Sequence, residues 1–526
     1  MVFSYESIKF LQIQTLQRRL TGILEISLDI HAVSWVVCCV ILSHKFSCLQ
    51  IILVMKAREQ ERNKDRIDQH LVNEIPIRLI RLSDMKFAGR GDVLKHFRDS
   101  NPQYGPRHPF RYAILSHRWL AEGEPTYEEI KSGTAKGPGY QKLKKFCEKA
   151  RTYNVEFAWS DTCCIDKSSS SELDESIRSM FTWYRNSYIC IIHLAQSETI
   201  EDIVDDEWTE RGWTLQELLA PRDIKLFNKH WMPMTHTEND KSGTETEVMK
   251  TLVKATGIPL DSIWFFDSRV GRVDERMLWA ARRSTTRPED VAYSLLGIFD
   301  VSLQITYGEG GDRAFCRLIE AIMRGGDISV LNWVGESAYH ESSYAIPRSP
   351  QNFVGRTLEL PLSSGGQLEM TMTSLGLRVP LVFLPLRITS RNGTSGGDAS
   401  VEWNFTLECT LCPAIRCKAT LSVHVHEEIP PQFALGIVNY SLVACEAPRV
   451  LGKSVGCILY RWPANPTICT PSSADFIGLK IASPPEHEFG RWWKAEGTGL
   501  VEVNFPNIPS NSQFYLSREY LEIVYL

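Results

Sequence analysis

Between Tyr112 and Pro221, apolar runs alternate with stretches of helical period. Tyr112–Ser116 is a short strand-like run, and beyond a Gly/Pro-rich loop Leu143, Phe146, Cys147 and Ala150 recur at helical spacing. Val155–Trp159 is strand-like again. Leu173, Ile177, Met180, Phe181 and Tyr184 then form one apolar helical face, and Ser171, followed three residues on by Asp174, reads as its capping-box-like start. Tyr188–Leu194 is apolar throughout, as expected of a strand covered on both faces of a parallel sheet. Strand, helix, strand, helix, strand predicts a small α/β domain with a parallel sheet.

The pattern changes on either side. Met55–Asn73 is densely charged and free of helix breakers, which predicts a solvated helix or linker ending at Pro76; Ile77–Leu82 reads as a first strand and Ser100–Pro109 as a loop. From Pro221 to Trp333 the periodicity is mainly helical, clearest over Glu289–Gly297 and Arg313–Met323, with a turn at Gly308–Gly311. Beyond Gly335, Pro, Gly, Ser and β-branched residues take over, and Leu421–His426 and Gln432–Val443 predict strands of an all-β region. The expected organisation is residues 1–76 as an N-terminal extension of open status, 77–221 as the α/β domain, 222–335 as a helical segment and 336–526 as a β-rich C-terminal domain.

A length of 526 residues suits about three domains. With 43% hydrophobic and 23% charged residues and a formal net charge of -5, the chain has an ordinary globular composition and no basic footprint for nucleic acid. The 14 cysteines are scattered, and the adjacent pairs Cys38–Cys39 and Cys163–Cys164 suit no disulfide framework, so reduced thiols in the cytoplasm are expected. The apolar runs Ala32–Leu42 and Leu49–Met55 are interrupted by His44, Lys45 and Ser47, each short of the roughly 20 residues of a membrane span. A membrane role is therefore not expected. A packed extension and a leader upstream of a start near Met55 both stay open.

The polar ends of the apolar runs supply the candidate chemistry. His117, Arg118 and Trp119 close the first strand, where Arg118 suits a phosphate or carboxylate. Asp161 and Asp166 flank Cys163 and Cys164; a ligand contact and a helix-capping role are both open for the two carboxylates. The cysteines would need a base such as His117 or His193 to act as nucleophiles, and the commoner fate of strand-end cysteines is burial as small hydrophobes. Glu217 lies in Trp213–Leu218, where Trp213, Leu215 and Leu218 can pack and leave the carboxylate on another side. Its commonest environment would be a solvated helix face. Cys409, Cys412, Cys417, His424 and His426 lack the second ligand pair of a zinc site, so no metal is expected. Ala447–Ser454 looks like a P-loop but is followed by a strand-like run instead of the helix that phosphate binding requires.

Three blocks, Tyr112–Trp119, Trp159–Asp166 (continuing through Ser170–Ser187) and Arg211–Pro221, resemble in this order the signature of the fungal heterokaryon incompatibility (HET) domain. The resemblance is strong over about Ile77–Pro221 and weaker over Ala281–Arg287 and Tyr293–Phe299. It implies a TIR-like or flavodoxin-like parallel-sheet fold and a role in non-self recognition, with programmed cell death triggered when the domain assembles with itself or with other incompatibility proteins. No cofactor is required for that. The Trp213–Leu218 segment is also similar to the glutamate segment of NAD-cleaving TIR domains, with Thr214 in place of their cysteine. By that analogy Glu217 would be catalytic and NAD a substrate: a carboxylate would stabilise the oxocarbenium-like transition state as neutral nicotinamide leaves. His117, Arg118, Trp119, Asp161 and Asp166 would then line the ligand, and Trp159, Cys163, Cys164, Trp213 and Leu218 would hold the motif together. A third reading is a degenerate, non-toxic copy.

Overall fold

The computed structural model describes residues 74–526 apart from 101–109, 244–245, 270, 339–344, 357, 361–367, 396–399, 409–414, 423–431, 443–446, 462–492, 495–498 and 506–507. The N-terminal expectations and the cysteine–histidine cluster around Cys409, Cys412, His424 and His426 therefore lie outside the described residues.

Six strands form the first sheet: β1 (Arg78–Arg81), β2 (Lys86–Gly89), β3 (Tyr112–His117), β4 (Phe157–Trp159), β5 (Ile189–His193) and β6 (Ile224–Phe227), in the order β2-β1-β4-β3-β5-β6. Parallel pairing holds between β4 and β3, β3 and β5, and β5 and β6. β1 runs antiparallel to both β4 and β2, so the sheet is mixed and the expectation of a wholly parallel one is corrected. The cause is local. Only residues 82–85 separate β1 from β2, too few for the crossover that a parallel neighbour needs. β3 and β5 are buried along their whole length, which explains their unbroken apolar sequence.

Helices α1 (Arg90–Ser100), α2 (Tyr127–Ser132), α3 (Gly137–Arg151) and α4 (Ser170–Asn186) connect these strands. α3 buries Leu143, Phe146, Cys147 and Ala150, the spacing expected of its inner face. The cap of α4 falls two residues before the predicted one: the Ser169 hydroxyl accepts the Glu172 N–H. Glu172 closes no capping box; its carboxylate takes Arg78 of β1 at 2.7 Å and the Asp166 N–H at 2.8 Å.

α5 (Thr214–Leu219) precedes β6, so the sheet continues past Pro221. The outer edge of β6 is closed by its own chain. Ile224 and Leu226 exchange hydrogen bonds with Asn239, Asp240 and Met234, and Asn228 donates to the Met232 carbonyl. α6 (Glu247–Thr256), α7 (Leu260–Trp264), α8 (Val273–Ala281), α9 (Asp290–Tyr293) and α10 (Gly311–Met323) follow. Only Asp290–Tyr293 of the predicted Glu289–Gly297 helix is α-helical, the rest being turns. Gly297 comes so close to α4 that an added Cβ would lie 2.1 Å from the Phe181 side chain.

The C-terminal part is an antiparallel sheet built on the long strand β8 (Gly376–Ser395), which pairs with β7 (Thr371–Thr373), β9 (Ser400–Glu408), β10 (Gln432–Ile437) and β11 (Leu521–Tyr525). Strands at Pro448–Leu451 and Lys453–Arg461 occupy the P-loop-like segment, so no helix stands where a phosphate would need one. Along β8 the side chains alternate. Val379, Leu381 and Phe383 join the core shared with the α/β region, whereas Val382, Leu384 and Leu386 join a second core on the other face. The junction is tied by polar contacts as well. Lys494 donates to the Trp333 carbonyl at 2.8 Å, and the Leu500 N–H donates to the Asn332 side chain at 3.1 Å. Among the described residues no helix is long and apolar enough to cross a membrane.

Candidate functional site

The carboxyl end of β3 directs two neighbouring side chains into different surroundings. Ser116 donates to Glu217 at 2.5 Å and accepts the Trp208 indole N–H at 2.8 Å. Glu217 is 5% exposed, so the solvated-helix expectation is overturned: α5 is enclosed on every side, Gln216 included. Burial, reinforced by the charge of Asp161, pushes the Glu217 carboxyl up to about 8 despite the bond from Ser116. At neutral pH it is an interior carboxylic acid. The buried Arg283 guanidinium helps to fix the start of α5, donating to the Arg211 carbonyl at 2.8 Å and the Thr214 hydroxyl at 2.9 Å. Lys241 holds the other end through the Leu218 and Pro221 carbonyls.

His117 meets Asp161 instead. Its Nε2 lies 3.1 Å from one carboxylate oxygen, and the Trp119 indole N–H donates to the other at 2.8 Å. A carboxylate only accepts, so Nε2 carries the proton and Nδ1 is left as an acceptor, buried, with no hydrogen-bond donor among the described residues and the Glu124 carboxylate 3.9 Å away. Burial and the Lys142 charge lower the His117 pKa, which keeps the ring neutral. Burial alone would raise the Asp161 pKa; the His117 contact, Lys167 and the Trp119 N–H outweigh it and hold the carboxylate ionised at about 2. His193, the register partner of His117 on β5, is buried and stacks on Trp231 with centroids 4.2 Å apart.

The remaining expected site residues separate from this pair. Arg118 turns outward to Glu207 at 2.6 Å, a carboxylate of its own chain. Asp166 accepts the Ser168 N–H and hydroxyl, which makes it a turn-forming residue ahead of α4. Cys163 and Cys164 are buried; the neighbouring Cys164 thiol and burial push Cys163 well above its usual range, and His117 is engaged with Asp161. Such a thiol is inert. Trp159 is fully buried edge-on against Trp183 and Tyr184, Leu218 is fully buried, and Trp213 donates to Asp290 at 3.0 Å. The free cysteines described, Cys147, Cys163, Cys164, Cys190, Cys316 and Cys457, are all buried, and no group of metal-ligating side chains occurs among the described residues.

Sequence reasoning missed Ser116, Trp208 and Arg283, which come from positions far apart in the chain. It did mark Ala281–Arg287, and the structure shows how that segment reaches the third block. The Gly212 N–H donates to the Ser284 carbonyl at 2.8 Å, and a Cβ at Gly212 would stand 2.5 Å from the Thr285 methyl. A side chain there would force the two segments apart.

The family described as "Heterokaryon incompatibility protein (HET)" matches residues 112–201, from the start of β3 to just beyond β5. Among curated proteins, the chain is 40% identical over 224 residues to the vegetative incompatibility protein HET-E-1 of Podospora anserina. The match covers 40% of this chain and spans only 16% of that protein's length. No solved structure matches the chain. Ser116, His117, Trp119, Asp161 and His193 of the strand-end cluster thus lie within the residues that match the heterokaryon incompatibility (HET) family, and over that stretch the chain is similar to it.

Proposed function

We propose that this chain is a fungal non-self recognition protein whose HET domain triggers programmed cell death by assembling with itself or with other incompatibility proteins. The observation that carries the reading is the 40% identity over 224 residues to a vegetative incompatibility protein, together with the family match at residues 112–201. The burial of the signature residues agrees with it. Trp159, Leu218 and Glu217 are spent on the interior, so the blocks specify a shape more than an open catalytic cleft. The cytoplasm, where free thiols stay reduced, is the compartment in which we place it.

A second reading, hydrolysis of the nicotinamide–ribose bond of NAD by Glu217, rests on the displaced titration of that carboxyl near the strand ends. It requires a motion that exposes and ionises a group now enclosed against Ser116. Inducible expression of the full chain in a fungal host, beside Glu217→Gln, separates the two. Assembly predicts killing that survives the substitution with NAD unchanged. Killing lost together with NAD consumption in a folded variant would overturn assembly in favour of the enzyme. Absence of killing by the unmodified chain would leave the non-toxic copy.

A further inference from the structure

The margins of the two larger sheets are finished differently. In the first, β6 is bordered by residues 234–240 of its own chain, and on the far side the Lys86 and Gly89 N–H groups of β2 donate to Asp84 and Asp92. In the second, β11 pairs with β8 on one side and with no strand on the other among the described residues.

The ladder tells which groups of β11 face outward. Leu377 and Leu526 exchange both backbone hydrogen bonds at 2.9 Å, and antiparallel pairs alternate between bonded and non-bonded. Leu521, Ile523 and Tyr525 are therefore the residues whose N–H and C=O point away from β8. Pro380, the register partner of Ile523, agrees with this alternation: it has no N–H, and its carbonyl accepts the Tyr440 hydroxyl at 3.1 Å. The Leu521 N–H is used on the Arg518 carbonyl. The Leu521 carbonyl and both backbone groups of Ile523 and Tyr525 are left without a backbone partner among the described residues. Exposed edges are commonly blunted by lysine, proline or a bulge. β11 has none of these: it reads Leu, Glu, Ile, Val, Tyr, its register on β8 is regular, and the Ile523 side chain is 54% exposed.

We propose that this edge is the docking site of a second copy of the chain, the two β11 strands pairing antiparallel about a two-fold axis at Ile523. The register is self-complementary. Each Ile523 exchanges both backbone bonds with its counterpart, and each Tyr525 N–H meets the Leu521 carbonyl of the other copy. On one face Ile523 packs on Ile523 and Leu521 on Tyr525, apolar cross-strand pairs of the kind that stabilise sheets. On the other, Glu522, the only charge of the strand, falls opposite Val524, so no carboxylate directly opposes another. A foreign strand would have to supply this match, whereas a second copy carries it by symmetry. The contact is small, so the dimer forms only at high protein concentration. The inference goes beyond the assembly reading by naming a partner and a surface, and dimerisation is measured apart from killing.

The test is sedimentation equilibrium of the full chain over a wide concentration range. A reversible monomer–dimer equilibrium is expected, weakened at least ~10-fold by Ile523→Lys and by Ile523→Pro, which removes an N–H that β8 does not use. Met232→Lys, at an exposed apolar side chain elsewhere, should leave it unchanged. Bonded antiparallel pairs hold their Cα atoms about 5.5 Å apart, within disulfide reach. Mild oxidation should therefore join two copies of Ile523→Cys through the introduced thiols but not two copies of Glu522→Cys. A monomer at every concentration, a dimer undiminished in both Ile523 variants at wild-type melting temperature, or cross-linking at Glu522→Cys and not at Ile523→Cys would overturn the proposal. So would slow hydrogen exchange of the Ile523 and Tyr525 amides in the dilute monomer, which would assign the edge to a segment of the same chain.

Discussion

The two larger sheets among the described residues are both well buried, yet they bury different things. At its carboxyl end the first sheet encloses Ser116, His117, Ser160, Thr162 and His193, with Gln216 and Glu217 beside them. The strands of the second sheet enclose only Ser454 and Lys494 as polar side chains among the described residues, and otherwise alternate Leu, Val, Ile and Phe between two apolar cores. Burying polar groups costs stability unless each finds a partner. Their concentration at one end of one sheet marks the region shaped by more than folding. The second sheet shows what the same chain does when burial serves packing alone.

The strongest way to break this contrast is to remove the second sheet. A chain ending at Gly335 loses β8 from the shared core, together with the Lys494–Trp333 and Leu500–Asn332 contacts. It is expected to lose cooperative thermal unfolding by circular dichroism; a sharp melt near that of the full chain would show that the regions fold separately.

A smaller effect comes from Glu217→Gln, read as stability against pH. The Glu217 pKa is raised on folding, so its contribution is full below the ordinary carboxyl range near 4.5 and declines as pH rises toward about 8. His193, lowered to about 3 by burial, acts in the opposite sense below pH 6.5, so the difference between wild type and variant is the informative quantity. Each unit of displacement corresponds to about 1.4 kcal/mol. The variant should therefore gain several kcal/mol relative to wild type between pH 5 and pH 8 in urea unfolding. Parallel profiles would mean that Glu217 titrates normally.

Least affected should be an exposed pair on the second sheet. Lys453 and Glu502 lie 2.7 Å apart with side chains 52% and 32% exposed. Lys453→Gln is expected to change stability by under ~1 kcal/mol; a larger loss would show that this sheet also depends on charge.

Much of the first sheet was legible because strands covered on both faces announce themselves as unbroken apolar runs, as at Ile189–His193. β6 was hidden because Lys225 interrupts it. Its ammonium is buried against Asp240 at 2.9 Å and the Thr235 and Thr237 carbonyls, partners invisible to a local pattern. The direction of β2 was hidden because its turn, Leu82–Met85, has no glycine and places Met85 at φ 59°. In the candidate site, the resemblance located Glu217 and His117 but not their surroundings. The hydroxyl that meets Glu217 stands 101 residues upstream, and nothing local to Trp213–Leu218 tells an enclosed carboxylic acid from a solvated carboxylate.

The closed margin of β6 bears on how copies of this chain could associate. Strand addition needs a row of free amide and carbonyl groups, and along this border Ile224 and Leu226 have already used theirs on residues 234–240. An intruding peptide would first have to peel away the chain's own hem. Any filament or partner complex built on this face of the sheet must therefore rely on side-chain recognition, which point substitutions can retune one specificity at a time.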